Sequence, residues 1–202
     1  MSRPYQFILA SGNAHKAEEF SELLNPEVIV VSAASDKLEV IEDGKSFQAN
    51  ALLKAKAYFD QYKKPVLADD SGLVVNALPG ELGIHSARFG GEGLSDQQRY
   101  ELLLEKLKAQ ADRKAYFVCV LCFYFSPESI FFFEGRLQGE IGHEAKGGHG
   151  FGYDPVFVPT KLADGKSIAE DPNFKAKYSH RAVACQQAES FFKGFNETVD
   201  KS

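Results

Sequence analysis

Short apolar runs alternate along the chain with longer segments whose apolar residues recur every three or four positions. The first run, Tyr5–Ala10, predicts a strand that stops at a Ser-Gly-Asn turn. Apolar residues at helical spacing follow between Ala17 and Leu24 and end before Pro26, which predicts a helix. The run VIVVS then predicts a second strand, so the chain begins with strand, helix and strand.

The next segment predicts a helix that begins near Ser46 and carries one apolar stripe. The stripe consists of Phe47, Ala51, Ala55, Tyr58, Phe59 and Tyr62. Asn50 and Lys54 are four residues apart and share another side of this helix. The run Pro65–Ala68 predicts a third strand, which is expected to end at the aspartates that follow it.

Three further elements complete the predicted fold. Ser95 and Gln98 form a capping-box pair, which predicts a helix through about Gln110. Two apolar runs, KAYFVCVLCFYF and SIFFFEGRLQGEI, flank a Ser-Pro-Glu turn and predict a long antiparallel hairpin. Apolar residues at helical spacing after Ser179 predict a last helix. Strands that alternate with helices, together with the hairpin, predict one α/β domain over residues 1–202 with a mixed sheet.

The composition is that of a globular protein that meets its ligands in a local pocket. Of the 202 residues, 44% are hydrophobic and 25% are charged, and the formal net charge is −5. This balance provides no basic field for duplex nucleic acid or for an anionic membrane. A polyanionic ligand is therefore expected to be small and to be bound by a few lysines and arginines.

The sequence predicts neither a signal peptide nor a membrane span, and together with the cysteine usage this favours a cytoplasmic protein. The N-terminal apolar run is too short for a signal peptide, and no segment reaches the roughly 18 apolar residues of a membrane span. Cys119 and Cys122 form a C-x-x-C pair inside an apolar run. Residues three apart in a strand point to opposite faces, so the pair is interpreted as buried structural thiols in a reducing compartment.

The first candidate for chemistry is the turn SGNAHK, which lies between a predicted strand and a predicted helix. Unpaired backbone N–H groups and the helix dipole favour an anion there, and Lys16 adds a full positive charge. The G-x-x-x-x-G-K pattern of a P-loop is absent. A capped turn with one solvated lysine is the alternative that the local pattern leaves open.

The second candidate is the acidic stretch Asp69–Asp70–Ser71, with Glu42 upstream in IEDGKSF. A cluster of carboxylates is costly unless a cation lies among them or one of them holds a proton. Mg²⁺ suits such a site because it keeps several waters and binds one or two carboxylates together with substrate phosphates. An acidic turn without a metal is the alternative.

The third candidate is the glycine-rich stretch GGHGFGYDP. It does not form a dinucleotide-binding fingerprint, because Tyr153 stands where the third glycine belongs and an extended run follows Pro155. Glycines beside Phe151 and Tyr153 instead suit a loop whose backbone approaches a flat ring, with an aromatic side chain for stacking. A surface turn with buried aromatic residues remains the alternative.

The fourth candidate is the segment KAKYSHRAVA, in which Ser179 is the predicted N-cap of the last helix. His180 and Arg181 then occupy its first turn, where cations are mildly disfavoured, so Arg181 there indicates an anionic or hydrogen-bond-accepting partner. A histidine that stands alone more often has a structural role. The four candidates together fit one ligand, a nucleoside triphosphate bound with Mg²⁺.

The motifs resemble those of the non-canonical purine nucleoside triphosphate pyrophosphatases, the inosine/xanthosine triphosphate pyrophosphatase family. They are SGNAHKAEEF, FQANALLKA, LADDSGLVVNALPGELGIHSARFGG, GFGYDPVF and K-x-x-x-SHR, and they occur in order over nearly the whole chain. The resemblance implies an elongated mixed sheet flanked by helices in two lobes, with the nucleotide in the cleft between them. It also implies a homodimer, Mg²⁺, and hydrolysis of XTP, ITP and dITP to the monophosphate and pyrophosphate.

The resemblance assigns site residues at both ends of the nucleotide. The triphosphate-binding turn falls on Ser11, Gly12, Asn13 and Lys16. The catalytic acid falls on Asp70, with Asp69 and Glu42 as supporting acids, Asp70 and Glu42 as metal ligands, Ser71 in contact with substrate and Lys54 near the phosphates. The base-recognition loop falls on Phe151, Gly152, Tyr153 and Asp154, and the final binding segment on Lys175, His180 and Arg181.

Two other functions compete with this one. The first is a pyrophosphatase for a different nucleotide, such as a modified pyrimidine triphosphate. The second is a non-enzymatic nucleotide-binding module in which the aspartates only chelate Mg²⁺. Pyrophosphate release from a panel of triphosphates, with and without Mg²⁺, separates all three.

Overall fold

The structure, a computed structural model, describes residues 3–11 and 13–199. Its described strands form one six-stranded mixed sheet in the order β2-β1-β3-β4-β5-β6. The strands are β1 Tyr5–Leu9, β2 Ile29–Ala33, β3 Val66–Val75, β4 Lys114–Ser126, β5 Ser129–Ile141 and β6 Phe157–Pro159. The helices are α1 Ala14–Leu23, α2 Phe47–Tyr62, α3 Asp96–Lys106, α4 Pro172–Tyr178 and α5 His180–Val199. The predicted α/β class with a mixed sheet is confirmed.

The chain divides into two compact units, and three strands pass from one unit to the other. The first unit contains the described residues up to Asp70, Cys119–Gly135 and the described residues from Val183 onward. The second contains Ser71–Val118 and Arg136–Ala182. The single domain over residues 1–202 therefore stays a prediction.

The first unit is built on two faces of its strands. β1 pairs in parallel with β2 and with β3, as α1 is the crossover between β1 and β2. One face packs an aromatic core in which Phe7, Phe123 and Phe192 lie with ring centroids 4.9 to 6.1 Å apart. The other face packs α2 through Ala51, Ala55 and Tyr58. Both buried faces stabilise the unit through the area they remove from water.

The two cysteines of β4 lie in different core clusters of this unit. Cys119 packs with the aromatic core and Cys122 with the α2 side, and both thiols are buried. Burial raises the pKa of the Cys122 thiol to about 12. The prediction that the C-x-x-C pair points to opposite faces is confirmed, and a thiol this hard to ionise suits packing better than metal binding.

The second unit has its own core beneath α3. Leu73 of β3, Leu103 of α3 and Phe117 of β4 are all buried in it, together with Phe157 of β6. The capping box between Ser95 and Gln98 is present, as predicted.

The helix that the capping box begins ends at Lys106 rather than near Gln110. Arg113 explains the earlier end, because its guanidinium donates to the carbonyl oxygen of Leu107. It also donates to the carbonyl oxygens of Ile141, the last residue of β5, and of Gly142. A side chain thus satisfies an acceptor that a further helical turn would otherwise use.

A further prediction about an element is wrong, and one helix was not predicted. The third strand does not end at the aspartates, because β3 continues through them to Val75. Leu73 and Val75 are buried in the core of the second unit, and that burial outweighs the turn tendency of Ser-Gly. The short helix α4 was not predicted, although Asp171 and Pro172 mark its start: the Asp171 carboxylate accepts the Phe174 N–H at 2.8 Å.

Membrane insertion through a helix finds no support in the described part of the chain. None of the helices there is both long enough and apolar enough to span a bilayer.

Candidate active site

Lys16 is turned toward an acid rather than toward solvent. The Asn13 side chain caps α1 by accepting the Lys16 N–H at 3.2 Å, and the Ser11 hydroxyl accepts the Asn13 N–H at 3.2 Å. Lys16 Nζ donates to Asp69 Oδ2 at 2.8 Å, and the Asp69 side chain is only 1% exposed. The solvated-lysine alternative is therefore wrong. Gly12, predicted in the same turn, lies outside the described residues.

Helix α2 supports the second aspartate. Asn50 is buried, and its Nδ2 donates to Asp70 Oδ2 at 3.1 Å. The Oδ1 of the same side chain accepts the Gly44 N–H at 2.8 Å, which fixes the loop before the helix. Lys54, one turn later, lies 2.9 Å from Glu42 Oε2 on that loop. The spacing of Asn50 and Lys54 on one side of α2 thus brings Asp70 and Glu42 to the same helix.

The neighbouring aspartates bind to different elements. Successive residues of a strand point to opposite faces, and Asp69 accordingly contacts Lys16 of α1 while Asp70 contacts Asn50 of α2. Sequence reasoning treated the pair as one turn and missed the role of Asn50. No sequence signal marks this contact, because the burial that obliges the Asn50 amide to find a partner is known only from the structure.

Electrostatics distinguish Asp70 from the other acids. Burial raises the pKa of Asp70 to about 6, although the Lys54 charge and the hydrogen bond from Asn50 act in the opposite direction. Burial alone would lower the pKa of Lys54, but the charges of Asp69 and Asp70 and the contact with Glu42 raise it, so this lysine stays protonated. Asp70 is thus a basic carboxylate next to a permanent cation.

Asp70 and Glu42 suit a hard cation whose other ligands are water molecules and phosphate oxygens. Within residues 3–11 and 13–199, no group of three or more His, Cys, Asp or Glu side chains could hold a metal by itself. Asp70 and Glu42 are nevertheless hard oxygen donors, and the raised pKa of Asp70 shows a buried charge that Lys54 only partly compensates. Mg²⁺ fits such a pair, because it commonly takes one or two carboxylates and completes its shell with phosphates and water.

The glycine-rich loop brings Phe151 and Asp154, predicted for base recognition, together with Lys175 of the predicted final binding segment, all within the second unit. Asp154 Oδ2 accepts from the Phe151 N–H at 3.0 Å and from Lys175 Nζ at 2.8 Å. Lys175 Nζ also lies 4.8 Å from the centroid of the Phe151 ring. An aromatic face, a carboxylate and an ammonium group therefore meet at one place.

Tyr153 has a different place from its neighbours. It is buried in the core of the second unit, and its hydroxyl donates to the Ser86 carbonyl oxygen at 2.7 Å. Burial raises the pKa of Tyr153, so the phenol remains a donor at neutral pH. Its predicted contact with substrate stays a prediction, while its contact with Ser86 fastens the loop to the core.

The start of α5 holds the last predicted residues. The Ser179 hydroxyl accepts the Ala182 N–H at 3.2 Å, as predicted for an N-cap. The His180 ring stacks on Phe117 with centroids 4.8 Å apart and 12° between planes. Arg181 is 1% exposed, and its Nη2 donates to Ser71 Oγ at 3.1 Å. Ser71 directly follows Asp70 in β3.

Replacing Gly147 with alanine is expected to destabilise the second unit by about 2–3 kcal/mol. Gly147 has φ +78°, and an added Cβ would lie 2.5 Å from the backbone carbonyl carbon of Ala169. Gly148→Ala is the matched control, because no described atom lies within 4 Å of its added Cβ, and it should change stability by less than about 0.5 kcal/mol. Urea unfolding of both variants measures the difference, and equal midpoints would contradict this account of the loop.

Comparison with known proteins gives matches over nearly the whole chain. The sequence model of the Ham1 family matches residues 7–191. The dITP/XTP pyrophosphatase of Methylacidiphilum infernorum is 42% identical over 193 residues, which cover 93% of this chain and 94% of that protein. The dITP/XTP pyrophosphatase of Staphylococcus aureus is 39% identical over 191 residues, which cover 94% of this chain and 97% of that protein.

Solved structures give the same result for the fold. The Staphylococcus aureus Ham1 protein has a TM-score of 0.83 at 39% identity and covers 94% of this chain and 98% of its own. A HAM1 protein from Coxiella burnetii has a TM-score of 0.84 at 34% identity and covers 94% of this chain and 99% of its own.

Proposed function

This chain belongs to the Ham1 family, and from that premise we propose that it hydrolyses XTP, ITP and dITP to the monophosphate and pyrophosphate. The reaction removes non-canonical purine nucleotides from the triphosphate pool. The observation that carries the proposal is Asp70, a buried carboxylate with a raised pKa, held by Asn50 and flanked by Lys54. A base of this kind, with cations beside it, suits attack of water on a phosphate.

The proposed chemistry is attack of water at the α-phosphorus with pyrophosphate as the leaving group. Asp70 orients the water and accepts its proton, with Asp69 in support. Lys16 and Lys54 neutralise the charge that builds on the leaving pyrophosphate. Each of these two lysines is already held by a carboxylate, at 2.8 and 2.9 Å, so its position costs little rearrangement when the phosphates arrive.

We propose Asp70 and Glu42 as the residues that hold Mg²⁺. When bound, the ion supplies positive charge to the phosphate oxygens. Glu42 is suited to this role because its side chain is one-third exposed and lies on the loop that Asn50 fixes through Gly44. Backbone N–H groups at the start of α1, next to Asn13, would bind the same triphosphate.

Purine selectivity is proposed to come from donors aimed at the 6-oxo group. Hypoxanthine and xanthine carry an oxygen at C6, whereas adenine carries an amino group. Arg181 and His180 would donate to that oxygen, and adenine would leave a buried donor without an acceptor. Phe151, Asp154 and Lys175 form the neighbouring part of the base site, where the Phe151 ring would stack on the purine.

Arg181→Lys is expected to lower the preference for dITP over dATP by about tenfold. Lysine keeps the charge but loses the planar pair of donors, one of which now holds Ser71. Arg113→Lys is the control, because Arg113 also donates to buried acceptors but lies outside the proposed site. The ratio of the kcat/KM values for dITP and dATP measures the preference. An unchanged ratio in Arg181→Lys would show that Arg181 has no role in base recognition.

The experiment that tests the function is a substrate panel with pyrophosphate release as the readout. The panel contains dITP, XTP, ITP, dATP, dGTP and pyrimidine triphosphates, each with and without Mg²⁺. We expect Mg²⁺-dependent release from dITP, XTP and ITP, well above that from the canonical purines. Faster release from a pyrimidine triphosphate, or ITP binding without hydrolysis, would support one of the competing functions instead.

The assembly is proposed to be a homodimer, as the sequence resemblance implies. Sedimentation of the purified protein at several concentrations tests this, and a monomer at every concentration would overturn it.

A further inference from the structure

We propose that Asp96 is a positioning residue for purine binding, a role that rests on the proposed function. Its Oδ2 accepts the Gly152 N–H at 2.7 Å, across 56 positions of sequence. Gly152 lies in the loop that carries Phe151 and Asp154, the residues proposed to meet the base. The contact therefore ties the start of α3 to the middle of the base-binding loop.

The Asp96 carboxylate is not required to cap its own helix. Ser95 and Gln98 already form both halves of the capping box, with the Ser95 hydroxyl accepting the Gln98 N–H and the Gln98 side chain accepting the Ser95 N–H. Asp96 is exposed and occupies the first turn, where the helix dipole favours a negative charge. Its carboxylate is therefore available for a charge-assisted hydrogen bond to another segment.

The start of α3 is a firm support for this contact. Arg99, on the first turn of the same helix, donates to the carbonyl oxygens of Phe89 at 2.8 Å and Leu94 at 2.9 Å. The segment just before Phe89 contains Ser86, whose hydroxyl binds both backbone groups of Leu73 in β3. Side-chain to backbone hydrogen bonds therefore connect the start of α3 to the segment before Phe89, and that segment to strand β3.

The base-binding loop is fastened on two sides. Tyr153 donates its hydroxyl to the Ser86 carbonyl oxygen on the buried side, and Gly152 donates its N–H to Asp96 on the exposed side. Gly152 has φ +63°, a conformation that glycine adopts freely and therefore leaves easily. Asp96 holds Gly152 in that conformation, and with it the angle at which the Phe151 ring and the Asp154 carboxylate face the base.

Positioning of this kind predicts a particular kinetic result. Removing the Asp96 carboxylate leaves every proposed contact residue in place but widens the range of loop conformations before substrate binds. The KM for dITP should rise about tenfold, while kcat should change by less than about threefold. The residues proposed to bind the phosphates and to orient the attacking water lie on other elements, so the substitution leaves them in place. The preference for dITP over dATP should fall as well, since rejection of adenine depends on fixed hydrogen-bond geometry.

The test compares Asp96→Ala with Asp96→Asn, and Asp112→Ala is the matched control. Asn retains an oxygen acceptor for the Gly152 N–H and should restore most of the KM and of the preference. Asp112 is also an exposed aspartate that accepts a backbone N–H, that of Lys114 at 2.9 Å, but it lies outside the base-binding loop. Its variant should match the wild type in both constants. Hydrogen exchange of the loop amides provides a second readout, and Asp96→Ala should exchange faster there.

Several outcomes would overturn the proposal. An active wild type whose Asp96→Ala variant keeps its KM, its preference and its loop exchange would remove the role of Asp96 while leaving the function intact. An Asn variant as impaired as the Ala variant would show that charge at the helix start matters, rather than the hydrogen bond. A wild type that releases no pyrophosphate from dITP would instead overturn the proposed function, and this role with it.

Discussion

Asp70→Asn is expected to lower the turnover of dITP by at least about a hundredfold and, in the same protein, to raise stability at pH 8. Turnover falls because asparagine neither accepts the proton of the attacking water nor carries charge toward Mg²⁺. Stability rises because the substitution removes a buried negative charge from between Asn50 and Lys54. A loss of activity caused by misfolding would lower both quantities, so the opposite signs identify a functional residue.

The pH dependence of this stability gain has a definite sign. Burial raises the pKa of Asp70 to about 6 in the folded protein, from 3.8 as its ordinary value. Between these values the folded protein holds a proton that the unfolded chain lacks, so the contribution of Asp70 to stability is full below about pH 4 and is lost as pH rises through 6. At pH 8 the ionised group costs at most about 3 kcal/mol, which Asp70→Asn should relieve.

The measurement is thermal unfolding of the metal-free protein at pH 8 and at pH 4.5. The variant should melt about 6 to 12 °C above the wild type at pH 8 and only about 2 to 4 °C above it at pH 4.5. Asp60→Asn is the control, since Asp60 is an exposed aspartate that pairs with Lys63, the C-cap residue of α2, and its variant should show neither effect. An Asp70→Asn variant with wild-type turnover would remove Asp70 from the mechanism.

Lys16→Met is expected to destabilise the protein by about 3 kcal/mol and to reduce turnover strongly. The partner of Lys16 is Asp69, whose side chain is 1% exposed, so the substitution leaves a carboxylate buried without its cation. Adding Asp69→Asn to the same chain removes that charge and should restore most of the stability. Activity should not return, because the lysine proposed to neutralise the leaving pyrophosphate is still absent.

The chain provides a control pair of the same chemistry at the surface. Lys63 and Asp60 lie 3.5 Å apart with side chains 70% and 59% exposed, so Lys63→Met should change stability by less than about 0.5 kcal/mol. Urea unfolding gives the stabilities, and pyrophosphate release from dITP gives the activity. A double variant as unstable as Lys16→Met, or one with activity restored, would contradict the proposed division of roles.

Helix starts were predictable from the sequence because their signals are local. Ser46, Ser95 and Ser179 each cap the helix that the sequence places after them, and each contact spans three residues. The hairpin of β4 and β5 followed from two apolar runs around a short turn in the same way. A local signal was also available for α4, in Asp171 and Pro172, and was overlooked.

The course of β3 was not predictable from local signals, because a remote core decides it. The stretch Asp69–Gly72 has the composition of a turn, yet the strand continues since Leu73 and Val75 are buried in the second unit. Burial of the two aspartates then requires Lys16 and Asn50, which come from helices 53 and 20 positions earlier. Local propensity carries no information on such partners.

In the candidate site, too, some features could be predicted from the sequence and others depend on remote contacts. The residue types were identifiable because acids, lysines and a glycine-rich aromatic loop have recognisable chemistry, and the resemblance assigned them to positions. The supporting contacts were not identifiable, since Asn50 with Asp70 and Asp96 with Gly152 join residues that no periodicity relates. Those contacts determine how firmly the reacting groups are held, so they require a structure.

The central claim is that water attacks the α-phosphorus of a non-canonical purine triphosphate. Hydrolysis of dITP in water enriched in heavy oxygen, with Mg²⁺ present and the products analysed by mass spectrometry, tests it directly. We predict equal amounts of dIMP and pyrophosphate, with the label in the phosphate of dIMP and none in pyrophosphate. Label in pyrophosphate, or dIDP and inorganic phosphate as the products, would contradict the claim.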